Sequence, residues 1–352
     1  MVTPRFPPDV GGVENVVLRV SEGLINRGHE VHILTTTTKK NDAGVSLFQG
    51  ITVERLLAFS PGNSYSFSIK IGRRIREIAR EYDIIHAHGY HALPALNAYR
   101  NRLGVKFILS TYYHRFSDNW FRNILLYPYR IIAKKMVNNA DMVICISEAE
   151  KNLLKLDFDP KECRVIHVGT DIGNSYHSSI KSGNVVMIGR LERYKNVHIG
   201  IQAVSKIGDL SMDIIGTGPE IKSLKNIVRE KGLEHRFSFH GFLDDSEKNR
   251  ILSESSCLLT LSDYESFGIV IIEAARSGVS VIASDIPSHN EIADVLEEGV
   301  YMVDQSDIEK VSDMVKLVMN TETANNDPKV ERFGWEYLVD RYIDAYEYTL
   351  SA

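Results

Sequence analysis

The chain has 352 residues, 43% hydrophobic and 25% charged, which is typical of a globular protein long enough for two domains. Its formal net charge of −5 gives no bulk attraction for nucleic acid, so no nucleic-acid partner is expected and any anion site must be local. No apolar run approaches the roughly 20 residues that span a bilayer. The amino terminus also lacks signal-peptide character, so a cytoplasmic location is predicted. Cys145, Cys163 and Cys257 lack metal-ligand spacing and are interpreted as buried thiols in a reducing compartment.

The chain opens on a short apolar stretch, residues 1–3, followed by a proline-rich turn. Gly11 and Gly12 then precede an amphipathic helix that is predicted to end at Gly28. Two adjacent glycines let the backbone approach a ligand closely where a helix begins. A glycine pair by itself is equally typical of a plain tight turn.

The amino-terminal half then alternates strands and helices. Strands are predicted at residues 30–35, 51–57, 83–89, 106–110, 140–146 and 164–171, with a polar stretch between 36 and 50. His88 lies at the carboxyl end of one strand, and His114 follows another. Lone histidines are more often structural than catalytic, but the carboxyl ends of parallel strands are where open α/β sheets bind ligands.

Two segments of this half are strongly basic. Residues 68–82 form a predicted helix with five lysines and arginines against two glutamates, and residues 119–138 combine aromatic and basic residues with no acidic one. This composition indicates a surface that touches anionic lipid. The alternative, weighed equally, is that the aromatics belong to the core and the cations are solvated.

The carboxyl-terminal half repeats the pattern after a polar linker at residues 172–183. An apolar strand at 184–190 ends in Gly189 and Arg190, and Lys195 follows five residues later. Two such cations can converge on one diphosphate. Arg190 would bind it through two N–H groups of its guanidinium, and Lys195 through its compact ammonium. Strands at 211–215 and 237–243 lead into a glycine-rich turn containing Gly218 and into Phe242.

Residues 257–283 read as strand, loop, helix and strand, which is a βαβ unit with its loop at a ligand-binding edge. The helix is predicted to open near Ser266 and Gly268, where unpartnered N–H groups attract a phosphate. Glu265 and Glu273 flank this opening, and carboxylates accept hydrogen bonds from sugar and ribose hydroxyls. For an isolated pair, solvated surface glutamates would be the better interpretation.

These motifs, in this order, resemble those of glycosyltransferase family 4, the retaining glycosyltransferases with the GT-B fold. The segment around Glu265 and Glu273 resembles the family's E-x7-E signature, and Gly189 to Asn196 resembles its G-R-L-x-x-x-K-N segment. Weaker likenesses are the PP-x-x-GG-x-E opening, the H-x-H-G loop at His88 and the G-x-G-P-E loop at Gly218. Family members begin with a full apolar strand, so here either the sequence starts late or the first strand is very short.

The resemblance implies an α/β protein of two Rossmann-like domains facing each other across a deep cleft. Residues 1–172 would form the acceptor-side domain, completed by a final helix at 335–352, and residues 173–334 would bind the donor. The residues carried over are catalytic Glu265, Arg190, Lys195 and His88, donor-binding Glu273, Ser266, Phe267, Gly268, Ile269, Gly189, Gly218, Gly12 and Phe242, and acceptor-side Gly11 and His114.

The implied reaction moves a sugar from a nucleoside diphosphate to a hydroxyl acceptor, with retention and without a metal or other cofactor. A glycosidase-like pairing of the two glutamates is disfavoured, because eight helical steps span about 12 Å whereas retaining hydrolases hold their carboxyls about 5 Å apart. Two alternatives stay open, a nucleotide-sugar 2-epimerase of the same fold and a non-catalytic nucleotide- or glycan-binding protein. A dinucleotide-dependent oxidoreductase is disfavoured, since no G-x-G-x-x-G loop is present.

Overall fold

A computed structural model describes residues 1–9, 11–59, 68–114, 120–170, 183–321 and 328–352. It divides into two compact units, unit 1 (Met1–Gly169 with Trp335–Ala352) and unit 2 (Thr170–Gly334). The sequence-based domain boundary at residue 172 and nearly all of the expected linker lie outside the described residues.

Unit 1 is an α/β unit. Its strands are β1 (His32–Thr37), β2 (Gly44–Phe48), β3 (Ile51–Leu57), β4 (Ile84–His88), β5 (Lys106–Ser110), β6 (Met142–Cys145) and β7 (Cys163–Val165). Its helices before unit 2 are α1 (Gly12–Asn26), α2 (Ile69–Ile78), α3 (Leu93–Asn101), α4 (Trp120–Asn138) and α5 (Glu148–Lys155). The strands pair in the orders β1-β3-β2 and β4-β5-β6-β7, in parallel except for β2 with β3.

The amino terminus joins these two groups of strands. Val2 forms a parallel bridge to Leu34 of β1 on one side and to Ala87 of β4 on the other. The buried Met1 ammonium donates to the His32 carbonyl at 2.5 Å, and burial lowers its pKa to about 5. A cavity of about 420 Å³ borders the same strands. Within residues 1–3, Val2 alone forms bridges, one to each neighbouring strand.

Two sequence-based boundaries in unit 1 are wrong. The polar stretch between 36 and 50 contains strand β2, whose Val45 and Leu47 are exposed, so it lacks the buried alternation by which a strand is recognised. Of the segment 164–171 that was expected to be a strand, Arg164 and Val165 belong to β7, and residues 166–170 lie outside it. The cysteines also differ from expectation: Cys163 is only half-buried, and its sulfur lies 3.7 Å from that of Cys145 on the neighbouring strand.

Unit 2 is a doubly wound α/β unit. Its strands are β8 (Val185–Ile188), β9 (Met212–Ile215), β10 (Phe237–Gly241), β11 (Cys257–Thr260), β12 (Ser280–Ser284) and β13 (Val300–Val303). Its helices are α6 (Val197–Ser205), α7 (Ile221–Glu230), α8 (Asp245–Glu254), α9 (Ile269–Arg276), α10 (Pro287–Leu296) and α11 (Ile308–Met319). The sheet is parallel throughout, in the order β10-β9-β8-β11-β12-β13, so all six strands end at one edge.

The last helix, α12 (Trp335–Ser351), returns to unit 1. Trp335, Leu338 and Tyr342 are buried in one cluster with Val16 and Val20 of α1. Each buried side chain of this size contributes about 1.5–3 kcal/mol, so α12 is an integral part of unit 1.

The basic helix α2 is mostly explained by packing. Ile71 and Ile75 belong to the core of unit 1, and Arg74 binds the buried Glu54 carboxylate through two hydrogen bonds of 2.8 and 2.9 Å. Its apolar side is therefore not available to a bilayer, although Arg73 and Arg76 are exposed. Within the described residues no helix is long and apolar enough to cross a membrane.

Candidate active site

Two neighbouring strand ends of unit 2 build the candidate donor site. Strands β8 and β11 are adjacent in the sheet, and both run into loops at its carboxyl edge. The loop after β8 carries Gly189, Arg190 and Lys195, and the loop after β11 carries Glu265. This is the edge at which open parallel sheets bind ligands.

Hydrogen bonds tie these two loops together. The Asn196 side-chain amide donates to the Leu261 carbonyl at 3.0 Å and to Asp263 Oδ1 at 2.6 Å. The Asp263 N–H donates to the Tyr194 carbonyl at 2.8 Å, and the rings of Tyr194 and Tyr264 stack with centroids 4.3 Å apart. Asn196 adopts φ 51°, a left-handed conformation that asparagine tolerates better than most residues.

Lys195 and Glu265 form a close ion pair across this junction. Their side chains are only 17% and 18% exposed, and Ser262 Oγ also donates to Glu265 at 3.2 Å. A Cβ placed on Gly189 would lie 4.0 Å from the Lys195 ammonium, so the glycine and the lysine share one site. The two charges compensate each other.

Arg190 has different partners. Its guanidinium is 72% exposed and lies 3.3 Å from the Tyr194 hydroxyl and 3.5 Å from Glu192. The hydrogen bond to Tyr194 raises the pKa of Arg190. Both cations approach Tyr194, since the Lys195 ammonium lies 5.5 Å from the centroid of its ring. Their convergence on one diphosphate stays a prediction.

The glycine-rich turn after β9 is required by packing. A Cβ on Gly216 would lie 1.8 Å from the Gly189 carbonyl oxygen, and one on Gly218 would lie 2.4 Å from the Leu191 carbonyl oxygen. Gly216 also has φ +136°, which disfavours any other residue. Gly218 was expected to bind the donor, and its observed contact is with the loop that carries Arg190.

Helix α9 opens beside the ion pair. Gly268 is its N-cap residue with φ +112°, and the first helical hydrogen bond runs from the Ile271 N–H to the Gly268 carbonyl. The amide of Ile269 precedes that bond, as the sequence predicts, and Ser266 is exposed. The Phe267 side chain is buried against Phe333, with ring centroids 6.0 Å apart, so only its backbone is suited to the donor-binding role expected of it.

His289 of α10 is buried next to Gly268 at the start of α9, and the sequence analysis did not single it out. Its ring is fully buried, and Nδ1 lies 3.1 Å from the Ser284 carbonyl oxygen. A Cβ on Gly268 would come within 3.4 Å of Nε2, which has no hydrogen-bond partner among the described residues. Burial lowers the pKa of His289 to about 4, so the ring is neutral at neutral pH.

Glu273 lies on α9 and pairs with a residue that the sequence analysis also missed. Its Oε1 accepts from the Lys248 ammonium of α8 at 3.0 Å, and both side chains are largely buried. No sequence pattern marks Lys248, because it lies 25 residues from its partner.

Phe242, just after β10, is 78% exposed, which is unusual for a phenylalanine.

The candidate residues of unit 1 lie at a strand end, in the loop after β5 and at the start of α1. His88 is fully buried at the end of β4, with Nδ1 3.2 Å from the Tyr112 hydroxyl and Nε2 unpartnered among the described residues. Burial lowers the pKa of His88 to about 3. His114 is exposed, Gly11 is the N-cap of α1, and a Cβ on Gly12 would meet no described atom within 4 Å. The site roles of these residues stay predictions.

Two family models match the two halves of this chain. The model of Glycosyltransferase Family 4 matches residues 10–174, and that of Glycosyl transferases group 1 matches residues 176–334. The chain belongs to glycosyltransferase family 4. The resemblance found in the sequence is thereby confirmed, and this glycosyltransferase carries both family regions in the order that the motifs predict.

Characterised relatives of the glycosyltransferase share about a quarter of its residues. The GDP-mannose:cellobiosyl-diphosphopolyprenol alpha-mannosyltransferase of Xanthomonas campestris is 24% identical, over 99% of this chain and 96% of that protein. The N-acetyl-alpha-D-glucosaminyl L-malate synthase of Bacillus anthracis is also 24% identical, over 96% and 94% of the two chains.

Solved structures of similar fold cover the whole glycosyltransferase. HepE of Anabaena in complex with UDP has a TM-score of 0.77 at 17% identity, over 99% of this chain and 98% of that one. Sucrose-phosphate synthase of Thermosynechococcus elongatus has a TM-score of 0.76 at 18% identity, over 99% of both chains. The α/β fold of two Rossmann-like units is therefore the GT-B fold, as expected.

Proposed function

We propose that this glycosyltransferase moves a hexosyl group from a UDP- or GDP-sugar to a hydroxyl of a glycan or lipid-linked glycan, with retention and without a metal ion. The relative from Xanthomonas campestris uses GDP-mannose and a diphosphopolyprenol acceptor, and HepE has been solved with UDP-glucose. The observation that carries the proposal for this chain is the Lys195–Glu265 pair at the opening of α9.

The ion pair suits an exchange of partners when the donor binds. A diphosphate offers Lys195 an anion that replaces Glu265, and the freed Glu265 carboxylate can then accept hydrogen bonds from hydroxyls of the transferred sugar. Lys195 thus has an anionic partner and Glu265 has hydrogen-bond donors both before and after binding, which matters in a site that is mostly shielded from water.

Cleavage of the bond between the anomeric carbon and the phosphate oxygen builds negative charge on the departing diphosphate. Lys195, Arg190 and the first amides of α9 supply positive charge and N–H donors at the same strand edge. Removing one such donor in other enzymes costs about 10²–10³ in kcat. These three groups make metal-independent departure of the leaving group feasible.

The two glutamates have separate tasks in this proposal. Glu265 lies in the loop after β11 and pairs with Lys195, whereas Glu273 lies within α9 and pairs with Lys248. We assign the donor sugar to Glu265 and the ribose to Glu273. From unit 1 we assign Gly12 to the donor, Gly11 and His114 to the acceptor, and His88 to catalysis as a neutral hydrogen-bonding group.

A membrane-associated acceptor is supported by the surface of α4. Ile131 and Ile132 are exposed, and the exposed Lys134 and Lys135 follow them on the same helix. Apolar side chains beside cations are typical of surfaces that lie on anionic lipid. The tryptophan and other aromatics expected to contribute at residues 120–128 lie outside the described side chains.

The test is a thermal-shift screen against UDP-, GDP- and ADP-sugars, followed by incubation of the stabilising donor with an acceptor panel and EDTA. We expect a UDP- or GDP-sugar to raise the melting temperature and a product that keeps the donor's anomeric configuration. Epimerised donor without transfer would instead identify a 2-epimerase, and binding without turnover a binding protein. Inverted product, or loss of activity in EDTA, would overturn the proposed mechanism.

A further inference from the structure

Lys248 and Glu273 form a second, largely buried ion pair in unit 2. Their side chains are 17% and 15% exposed, and the Lys248 ammonium lies 3.0 Å from Glu273 Oε1. Lys248 also lies 3.0 Å from Asp245, but that carboxylate is almost fully exposed. Because exposed pairs contribute little, Glu273 is the partner that matters to Lys248.

Stability alone is a weak reason for such a pair. Removing two charges from water carries a desolvation cost that often cancels their attraction, and apolar residues of similar size would join α8 to α9 as well. The pair does fix the orientation of the Glu273 carboxylate. Burial lowers the pKa of Lys248, but the contacts with Glu273 and Asp245 together outweigh it and raise the pKa, so the lysine keeps its charge.

The ion pair leaves room for a ligand. Lys248 engages Oε1, and an ionised carboxylate offers about four lone-pair sites on its two oxygens. Oε2 can therefore accept from two neighbouring hydroxyls, such as the 2′- and 3′-hydroxyls of a ribose, while Oε1 stays with the lysine. A protonated or rotated carboxyl would lose part of this capacity.

We infer that Lys248 is a positioning residue for ribose recognition, holding Glu273 so that its second oxygen accepts from the ribose hydroxyls of the donor. This inference rests on the proposed function, in which Glu273 binds the ribose. It predicts that Lys248 acts on donor affinity through the ribose, and not on the chemistry at the anomeric carbon.

The experiment compares binding of UDP with 2′-deoxy-UDP, and of GDP with 2′-deoxy-GDP, to the wild-type chain and to Lys248→Met, Lys248→Arg and Glu273→Gln. Wild type is expected to prefer the ribonucleotide by about 10- to 100-fold, the range that a hydrogen bond to a charged group supplies. Lys248→Met and Glu273→Gln should both lose most of this preference, and Lys248→Arg should retain more of it. In turnover assays Lys248→Met should raise KM for the donor far more than it lowers kcat.

Arg250→Met is the matched control, because Arg250 is exposed on the same helix and its ion pairs among the described residues are with two partly exposed glutamates, Glu247 and Glu254. It should keep the wild-type preference. If Glu273→Gln loses the preference and Lys248→Met keeps it, the inference is overturned and the proposed function stands. If Glu273→Gln keeps the preference, the ribose role in the proposed function fails, and the inference fails with it. Should Lys248→Met not fold, Lys248→Gln gives the same comparison with a neutral hydrogen-bond donor.

Discussion

The Asn196 side-chain amide lies 2.6 Å from Asp263 Oδ1, and this contact joins the loop after β8 to the loop after β11. Asn196 follows Lys195 directly, and Asp263 lies two residues before Glu265. The same amide donates to the Leu261 carbonyl at 3.0 Å. Asn196 therefore fixes the relative position of the two charged residues to which we assign diphosphate and sugar.

Asn196→Gly tests this contact without straining the backbone, because glycine adopts the left-handed conformation freely. Loss of the hydrogen bond to a charged group should lower the free energy of unfolding by about 1–3 kcal/mol and should also reduce kcat/KM for the donor. Urea denaturation and donor kinetics measure the two effects. Asn320→Ala, at the exposed end of α11, is the control and should change neither. Wild-type kinetics in Asn196→Gly would show that the two loops hold their geometry without this amide.

Single and double variants of the Lys195–Glu265 pair should affect stability and catalysis differently. Lys195→Met leaves Glu265 as an uncompensated, mostly buried carboxylate, so it should lower stability as well as kcat, the latter by about 10²–10³. The double variant Lys195→Met with Glu265→Gln removes both charges, and it should recover stability but not activity. Thermal melting and donor turnover are measured for both variants and the wild type.

Lys206→Met serves as the control for this series, since Lys206 pairs with Glu309 at an exposed site of the same unit. It is expected to melt and turn over like the wild type. Recovery of activity in the double variant would contradict the roles assigned to both residues of the pair.

The sequence predicted that the candidate donor-site residues lie at one sheet edge, because they belong to local segments. Each cluster of candidate residues follows directly after an apolar strand, and parallel strands in one sheet necessarily end at one edge. Gly189, Lys195, Glu265 and the opening of α9 could therefore be placed together without knowing a single contact. Position within a strand–loop–helix unit was sufficient.

The partners of these residues could not be predicted in the same way. Asn196 and Asp263 are 67 residues apart, and Lys248 and Glu273 are 25 apart, so their contacts depend on strand order and helix packing. Asn196 stood inside a recognised motif but had no assigned task. Lys248 and His289 carried no local signal, since a lysine on a helix and a histidine near a strand are both common surface residues.

Buried neutral histidines should make the stability of the protein depend on pH. Burial lowers the pKa of His88 to about 3 and that of His289 to about 4, and it also lowers the pKa of His86, whose ring lies 4.1 Å from that of His88. Below the unfolded value near 6.5, the unfolded chain binds protons that the folded chain does not. Stability is therefore expected to be full above about pH 7 and to fall as the pH drops toward 4.

His88 and His289 should each lower the free energy of unfolding at pH 5 by about 2 kcal/mol relative to its value at pH 7.5. Thermal melting between pH 5 and 7.5 measures the slope, and His289→Gln should reduce it by removing one titrating group. An unchanged slope in that variant would mean that His289 is already protonated, or equally accessible to protons, in the folded state.

The exposed isoleucines and lysines of α4 predict binding to anionic vesicles at low salt. Each lysine near such a surface contributes about 1 kcal/mol, so Lys134→Glu with Lys135→Glu should abolish co-sedimentation with phosphatidylserine-containing vesicles. Lys222→Glu with Lys225→Glu, on α7 of unit 2, makes the same change in net charge elsewhere and should leave binding unchanged. Because surface attraction is screened within about 8 Å at physiological salt, binding should weaken steeply as salt is added, whereas binding carried by Ile131 and Ile132 alone would persist. Equal loss in both charge-reversal variants would show that only net charge matters, and it would remove α4 as a membrane-binding surface.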